Sequence, residues 1–147
     1  MRDKAILLVE DNSSDVDLTR RALEKRRIGN DLVVVEDGQE ALDYLFAQGP
    51  YAHRDPTDLP SVVLLDINLP KVDGLSVLRR IRENALTALL PVIMLTTSQE
   101  EQDLLASYRL HANSYIRKPV DFLQFVDAVG QLGMYWLVLN ESAPAAR

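Results

Sequence analysis

The sequence predicts an α/β fold: a single domain on a doubly wound, five-stranded parallel sheet with five helices. Three observations predict it. Five short runs rich in apolar residues alternate with five stretches of helical periodicity across the 147 residues. Such alternation requires a parallel sheet with helices on both faces and right-handed crossovers. The strongest run, Val62-Val-Leu-Leu65, is apolar without alternation and lies between Pro60 and Pro70, as in a strand buried on both faces. It leads directly into Asp66, and three other predicted strand ends are also polar: Glu10-Asp11, Thr96 and Lys118.

Residues 5–9 form the first strand. Asn12 caps the first helix, with Asp15 three residues on as a variant of the capping box, and Gly29 stops that helix near Ile28. Val16, Leu18, Ala22 and Leu23 supply its apolar positions. Leu32–Val35 is the second strand. Asp37 caps a second helix, with Glu40 at its third position and Ala41, Leu42, Leu45 and Phe46 inside. Residues 48–60, with Gly49, Pro50, Pro56 and Pro60, form a loop longer than the usual connection of about 2–6 residues. Strand three ends at Asp66, and Gly74 precedes a helix with Leu75, Val77, Leu78 and Ile81 on its inner side. Residues 91–96 form strand four, residues 99–110 a helix and Ser114–Arg117 strand five.

Asp121 caps the last helix. Phe122, Phe125, Val126, Val129, Leu132 and Trp136 keep helical spacing, which predicts a continuous helix to Leu139, about 28 Å long at 1.5 Å per residue. Residues 134–139 are apolar on all sides, so they pack either into the core or against a second copy of the chain. Residues 1–140 thus make the domain, with an extended C-terminal helix, and 141–147 a short tail.

Composition bounds the function. A length of 147 residues suits one domain with a sizeable core. The formal net charge of −6 argues against non-specific binding to nucleic acid or to an anionic membrane. There is no cysteine, hence no disulfide and no thiolate metal site. The first apolar run is too short for a signal peptide or a membrane span, so a cytoplasmic protein is expected.

In a parallel sheet all strand carboxyl ends lie on one edge, so Glu10, Asp11, Asp66, Thr96 and Lys118 converge there. Ligands of open α/β sheets bind at that edge. Three carboxylates brought together repel, and a cation offsets their charge. The ligands on offer are all oxygen, which suits a hard ion such as Mg²⁺. A carboxylate is also a nucleophile toward phosphorus, forming an aspartyl-phosphate. Metal, Lys118 ammonium and Thr96 hydroxyl would then share the charge of the transferred group. Taken singly, each residue has a plainer reading. Asp66 caps a turn, Thr96 is a strand residue, Lys118 is a surface residue, and Glu10-Asp11 favour a helix start.

These residues resemble the receiver domain of bacterial two-component response regulators. Glu10-Asp11 look like its acidic pair. Asp66-Ile-Asn-Leu-Pro-Lys-Val-Asp-Gly74 matches the phosphoacceptor motif. Leu95-Thr96 matches the strand-four hydroxyl, Tyr115 the switch aromatic, and Lys118-Pro119 the lysine-proline pair. The resemblance covers roughly residues 4–130. It implies the flavodoxin-like strand order 2-1-3-4-5 and an Asp66 that accepts a phosphoryl group from a sensor histidine kinase. Mg²⁺ would be held by Asp11, Asp66 and the backbone carbonyl of Asn68, with Glu10 assisting. Lys118 would pair with the phosphoryl group, Thr96 would move to bond it and Tyr115 would turn inward behind it. The Lys118-Pro119 bond would be cis. Such a protein is no enzyme beyond its own phosphorylation and dephosphorylation.

A narrower resemblance, to the small single-domain regulators paired with bacterial and cyanobacterial phytochromes, rests on residues 49–56, 107–110 and 135–141. It implies a bacteriophytochrome-type kinase as partner and a homodimer involving the C-terminal helix. His111-Ala112 departs from the usual Gly-Ala after the fourth helix. His tolerates φ > 0 better than most residues, at some cost. His53 has no visible partner. Arg20, Arg21, Lys25, Arg26 and Arg27 form a basic face that either meets solvent or meets the kinase. No output domain follows the receiver, which argues against direct DNA binding.

Three rivals remain. A flavin carrier of this architecture needs a Ser/Thr/Gly-rich phosphate loop after strand one, where this chain has Glu10-Asp-Asn-Ser-Ser-Asp15. An EF-hand starting at Asp11 fails at Val16, where Gly is needed, and at Ala22, where Glu is needed. A non-phosphorylated pseudo-receiver scaffold is opposed by the complete acidic set.

Overall fold

Burial on both faces is what the central strands share. In the computed structural model, which describes residues 5–24, 30–97, 99, 101, 112–134 and 137, β1 (Ile6–Val9), β3 (Val62–Asp66) and β4 (Val92–Thr96) are buried at every position. The other two are partly open: β2 (Leu32–Val35) is buried only at Val35, and β5 (Ser114–Arg117) alternates buried and exposed. Those are the two edges. The order is β2-β1-β3-β4-β5, all parallel. Ile6 sits opposite both Leu32 and Val62, Val63 opposite Val92, and Ile93 opposite Ser114.

The two-residue period of a strand sends neighbouring side chains to opposite faces. Leu7, Val9, Val63, Leu65 and Met94 pack under α2 (Gly38–Phe46) and α3 (Gly74–Glu83). Ile6, Leu8, Leu64, Ile93 and Leu95 pack under α1 (Ser13–Glu24) and α4 (Phe122–Gln131), where they meet Leu23, Phe125 and Val129. Helices on both faces force the strand order to reverse between β1 and β3, which opens a crevice at the carboxyl edge.

Four caps hold their helices, three of them predicted and the fourth, Asp73, seen only in the structure. Asn12 Oδ1 accepts from the Asp15 N–H at 3.0 Å, Asp37 from Glu40 at 2.7 Å, and Asp121 from Gln124 at 2.8 Å. Asp73 accepts from Ser76 at 2.8 Å. Neither capping box is reciprocal, however. Glu40 Oε1 accepts from Glu36 N–H and its Oε2 from the Tyr51 hydroxyl, while the Asp15 carboxylate points to Lys118. The 48–60 loop is fastened to α2. A single 3₁₀ turn covers Gly49–Tyr51, and the Arg54 guanidinium stacks 3.7 Å above the Tyr44 ring centroid. His53 is exposed.

One expectation is corrected. The last helix does not run unbroken to Leu139 but ends at Gln131. Gly133 adopts φ 71°, its N–H donates to Gly130 O at 3.0 Å, and the Met134 N–H reaches Val129 O at 2.8 Å. That pair of bonds is a Schellman closure, which glycine permits at no steric cost. Met134 and Leu137 are nevertheless buried in the α1/α4 layer. Of the predicted fourth helix only Gln99 and Glu101 are described, both helical. Its remainder lies outside the described residues, as do Lys25 to Gly29, His111, the 107–110 and 135–136 positions, and residues 138–147. No helix among the described residues is long and apolar enough to cross a membrane.

Candidate functional site

Asp66 closes β3, Thr96 closes β4, Glu10 follows β1 directly and Lys118 follows β5. All four belong to the same sheet edge because every strand runs the same way. Asp66 is 2% exposed, Glu10 1% and Thr96 0%, so their polar atoms are largely removed from water. Asp11 is exposed beside them. Carboxylate oxygens of Glu10, Asp11 and Asp66 lie within 4.8 Å of one another.

Lys118 reaches into this group. Its Nζ lies 3.1 Å from Glu10 Oε1, 3.1 Å from Asp66 Oδ2 and 3.2 Å from Asp15 Oδ2. The Lys118 backbone N–H donates to Thr96 O at 2.7 Å, which ties the ends of β4 and β5, and the Lys118-Pro119 bond is cis. Burial alone would lower the Lys118 ammonium, but the Asp66 and Glu10 carboxylates raise it above its ordinary value. Burial, together with the adjacent Asp66 carboxylate, pushes the Glu10 carboxyl up to about 7. One ammonium is in contact with three carboxylates and Asp11 stands beside them, so the cluster retains excess negative charge.

The segment after Asp66 is clamped. The Asn68 N–H donates to Asp66 Oδ1 at 3.3 Å, and the Gly74 N–H closes on Ile67 O at 3.0 Å. Lys71 takes φ 67°, with its ammonium 3.5 Å from the Asp37 carboxylate. The Asn68 amide donates to Glu101 Oε2 at 2.7 Å, while Glu101 Oε1 accepts from the Thr97 N–H at 2.6 Å. Glu101 therefore bridges the loops that follow β3 and β4.

Of the predicted residues, the structure brings together Glu10, Asp11, Asp66 and Lys118, with Asn68 hydrogen-bonded to Asp66 and Thr96 bonded to Lys118 through the backbone. Tyr115 stands apart on β5, 36% exposed. Asp15 and Glu101 escaped the sequence reading. Asp15 was visible only as a capping residue, because its partner is 103 positions away.

An all-oxygen donor set with excess negative charge fits a hard divalent cation. A buried carboxylate beside that set, with an ammonium in contact, is equipped to accept a phosphoryl group.

Known proteins resemble this chain along most of its length. Residues 6–130 match the response regulator receiver domain family. Response regulator Rcp1 of Synechocystis sp. is 39% identical over 134 residues, covering 91% of this chain and 89% of that protein. The structure of the bacteriophytochrome response regulator AtBRR is 51% identical with a TM-score of 0.88, over 96% of this chain and all of the other. The Mn²⁺-bound form of Rcp1 superposes with a TM-score of 0.73 at 38% identity, over 97% and 99% of the two chains. The phosphorylated cyanobacterial phytochrome response regulator RcpA gives 0.74 at 36% identity, over 98% and 100%.

Proposed function

The chain belongs to the response regulator receiver domain family, and from that premise we propose that it is a phosphoacceptor switch in which Asp66 takes a phosphoryl group from a histidine kinase. The observation that carries the reading is the buried Asp66 carboxylate at the end of a central strand, 3.1 Å from the Lys118 ammonium and clustered with Glu10 and Asp11. An Asp66 oxygen attacks phosphorus, and the P–N bond to the kinase imidazole breaks. The imidazole leaves with the electron pair and takes a proton, and Asp66 becomes an acyl phosphate. Its carboxylate charge is then gone, which frees Lys118 Nζ to donate to a phosphoryl oxygen. The Thr96 hydroxyl bonds a second oxygen, and Tyr115 turns inward in the space Thr96 vacates. A charge-changing modification thereby biases a two-state element. Hydrolysis by water returns the carboxylate and releases phosphate.

Mg²⁺, held by Asp11, Asp66 and the Asn68 carbonyl with Glu10 assisting, would neutralise charge on the transferred group. Receiver domains bind Mg²⁺ or Mn²⁺ at such an acidic pocket, and Rcp1 has been solved with Mn²⁺ bound. Because the Glu10 carboxyl sits at about 7, the metal-free site holds a proton below that pH, and a cation must displace it. Mg²⁺ affinity is therefore expected to rise as pH passes upward through about 7, with proton release. Calorimetry in two buffers of different ionisation enthalpy reads both; affinity independent of pH would contradict it.

Phytochrome-type kinases are the proposed donors, supported by the likeness to AtBRR and RcpA. A homodimer through the segment after Gln131 belongs to the same proposal, on the strength of its apolar run, and sedimentation should give twice 16.5 kDa. The test of the phosphoacceptor itself uses phosphoramidate, a small P–N donor, with Mg²⁺. The parent should acquire hydroxylamine-labile phosphate and Asp66→Asn none. Label that resists hydroxylamine, or that persists in Asp66→Asn, would overturn the assignment.

A further inference from the structure

Asp15 is the carboxylate in the site that the chemistry above leaves without a task. It is the third residue of α1, and its backbone N–H is fixed by Asn12 Oδ1 at 3.0 Å. Its side chain is 28% exposed, against 1% for Glu10 and 3% for Asp66. Among the described residues it stands outside the group of oxygens formed by Glu10, Asp11 and Asp66, and it meets the Lys118 ammonium that Glu10 and Asp66 also meet.

An ammonium has three N–H donors. Those of Lys118 are matched by three carboxylates, Glu10 and Asp66 at 3.1 Å and Asp15 at 3.2 Å, so the ammonium is fully subscribed before any phosphoryl group arrives. Acylation of Asp66 removes one of the three partners and introduces a phosphoryl group of roughly −2 charge. Asp15 remains. It keeps a claim on one donor and holds a like charge at the ammonium that the phosphoryl oxygens must also share.

We propose that Asp15 is a positioning residue that acts through Lys118: it anchors the ammonium in the unphosphorylated site and weakens the phosphorylated state. The inference rests on the reading of Asp66 as phosphoacceptor. A merely structural Asp15, one that only keeps Lys118 in place, makes the opposite prediction. Its loss would let Lys118 drift and would weaken the hold on the phosphoryl group.

The test is equilibrium binding of fluoroberyllate, a phosphoryl mimic, to the full chain at saturating Mg²⁺. Parent, Asp15→Asn, Asp15→Ser and Asp15→Glu are compared. Asp15→Asn and Asp15→Ser should bind about two- to fivefold more tightly than the parent, a range suited to a partly exposed charge. Asp15→Glu should stay near the parent. The advantage of the neutral variants should shrink as salt rises, because screening removes the repulsion. Equal or weaker binding by both neutral variants overturns the inference and leaves the phosphoacceptor reading intact. A folded, Mg²⁺-saturated parent that binds no fluoroberyllate overturns both.

Discussion

Lys118→Met is expected to slow phosphoryl transfer to Asp66 by about 10²–10³, the usual cost of removing one preorganised donor from developing charge. The same substitution should tighten Mg²⁺ binding. Lys118 Nζ is already a cation inside the acidic cluster, in contact with both Glu10 and Asp66. Its charge offsets the repulsion that would otherwise draw a metal in, so lysine and metal share the carboxylates at each other's expense. With the ammonium gone, Glu10 and Asp66 are left nine-tenths or more buried with no positive partner in contact among the described residues, a costly state for carboxylates. The metal-free variant should therefore lose stability and regain much of it with Mg²⁺. Initial rates with acetyl phosphate and a Mg²⁺ titration read the two effects. A transfer rate near that of the parent, or weaker Mg²⁺ binding, would remove Lys118 from its assigned role.

The second large effect is expected at Gly38. A Cβ there would lie 1.7 Å from Val72 O and 2.6 Å from Val72 C. These are backbone atoms of the loop that follows Asp66, and they cannot swing aside. Gly74 meets the same loop from the other end, where a Cβ would lie 2.3 Å from Asp66 O and 2.7 Å from Ile67 Cα. The loop is thus pressed between the first residues of α2 and α3, which require bare glycine to approach so closely. Gly38→Ala should cost about 2–3 kcal/mol, the overpacking cost less a small gain in helix propensity. The melting temperature should fall by roughly 5–10 °C. Mg²⁺ affinity should fall with it, because Asn68 lies on the displaced loop. Melting unchanged within about a degree would show that the loop yields more readily than its geometry implies.

Much of this arrangement was legible in the sequence, for physical reasons. Strands buried on both faces need unbroken apolar runs, so 62–66 and 91–96 declared themselves. Asp37 and Asp121 were readable as caps because capping is local in sequence. Parallel pairing then carried Glu10, Asp66, Thr96 and Lys118 to one edge without further information. What stayed hidden was long-range or conformational. Asp15 satisfied a local rule, and its contact with Lys118 joins the start of α1 to the residue that follows β5, a meeting across 103 positions that no local rule encodes. Glu101 pairs with Asn68 across 33 positions, through loop geometry that no periodicity records. The end of α4 was missed because apolar spacing continues through Leu132 to Trp136, whereas the backbone turns at Gly133. That glycine, followed by an apolar residue, was the available signal.

The central claim is that Asp66 is the phosphoacceptor. Intact mass of the full chain after incubation with acetyl phosphate and Mg²⁺, beside Asp66→Asn, tests it most directly. The parent should gain one phosphoryl group, roughly 80 Da, and Asp66→Asn should gain nothing. A gain of equal size in Asp66→Asn, or no gain in a folded parent supplied with Mg²⁺, would contradict it.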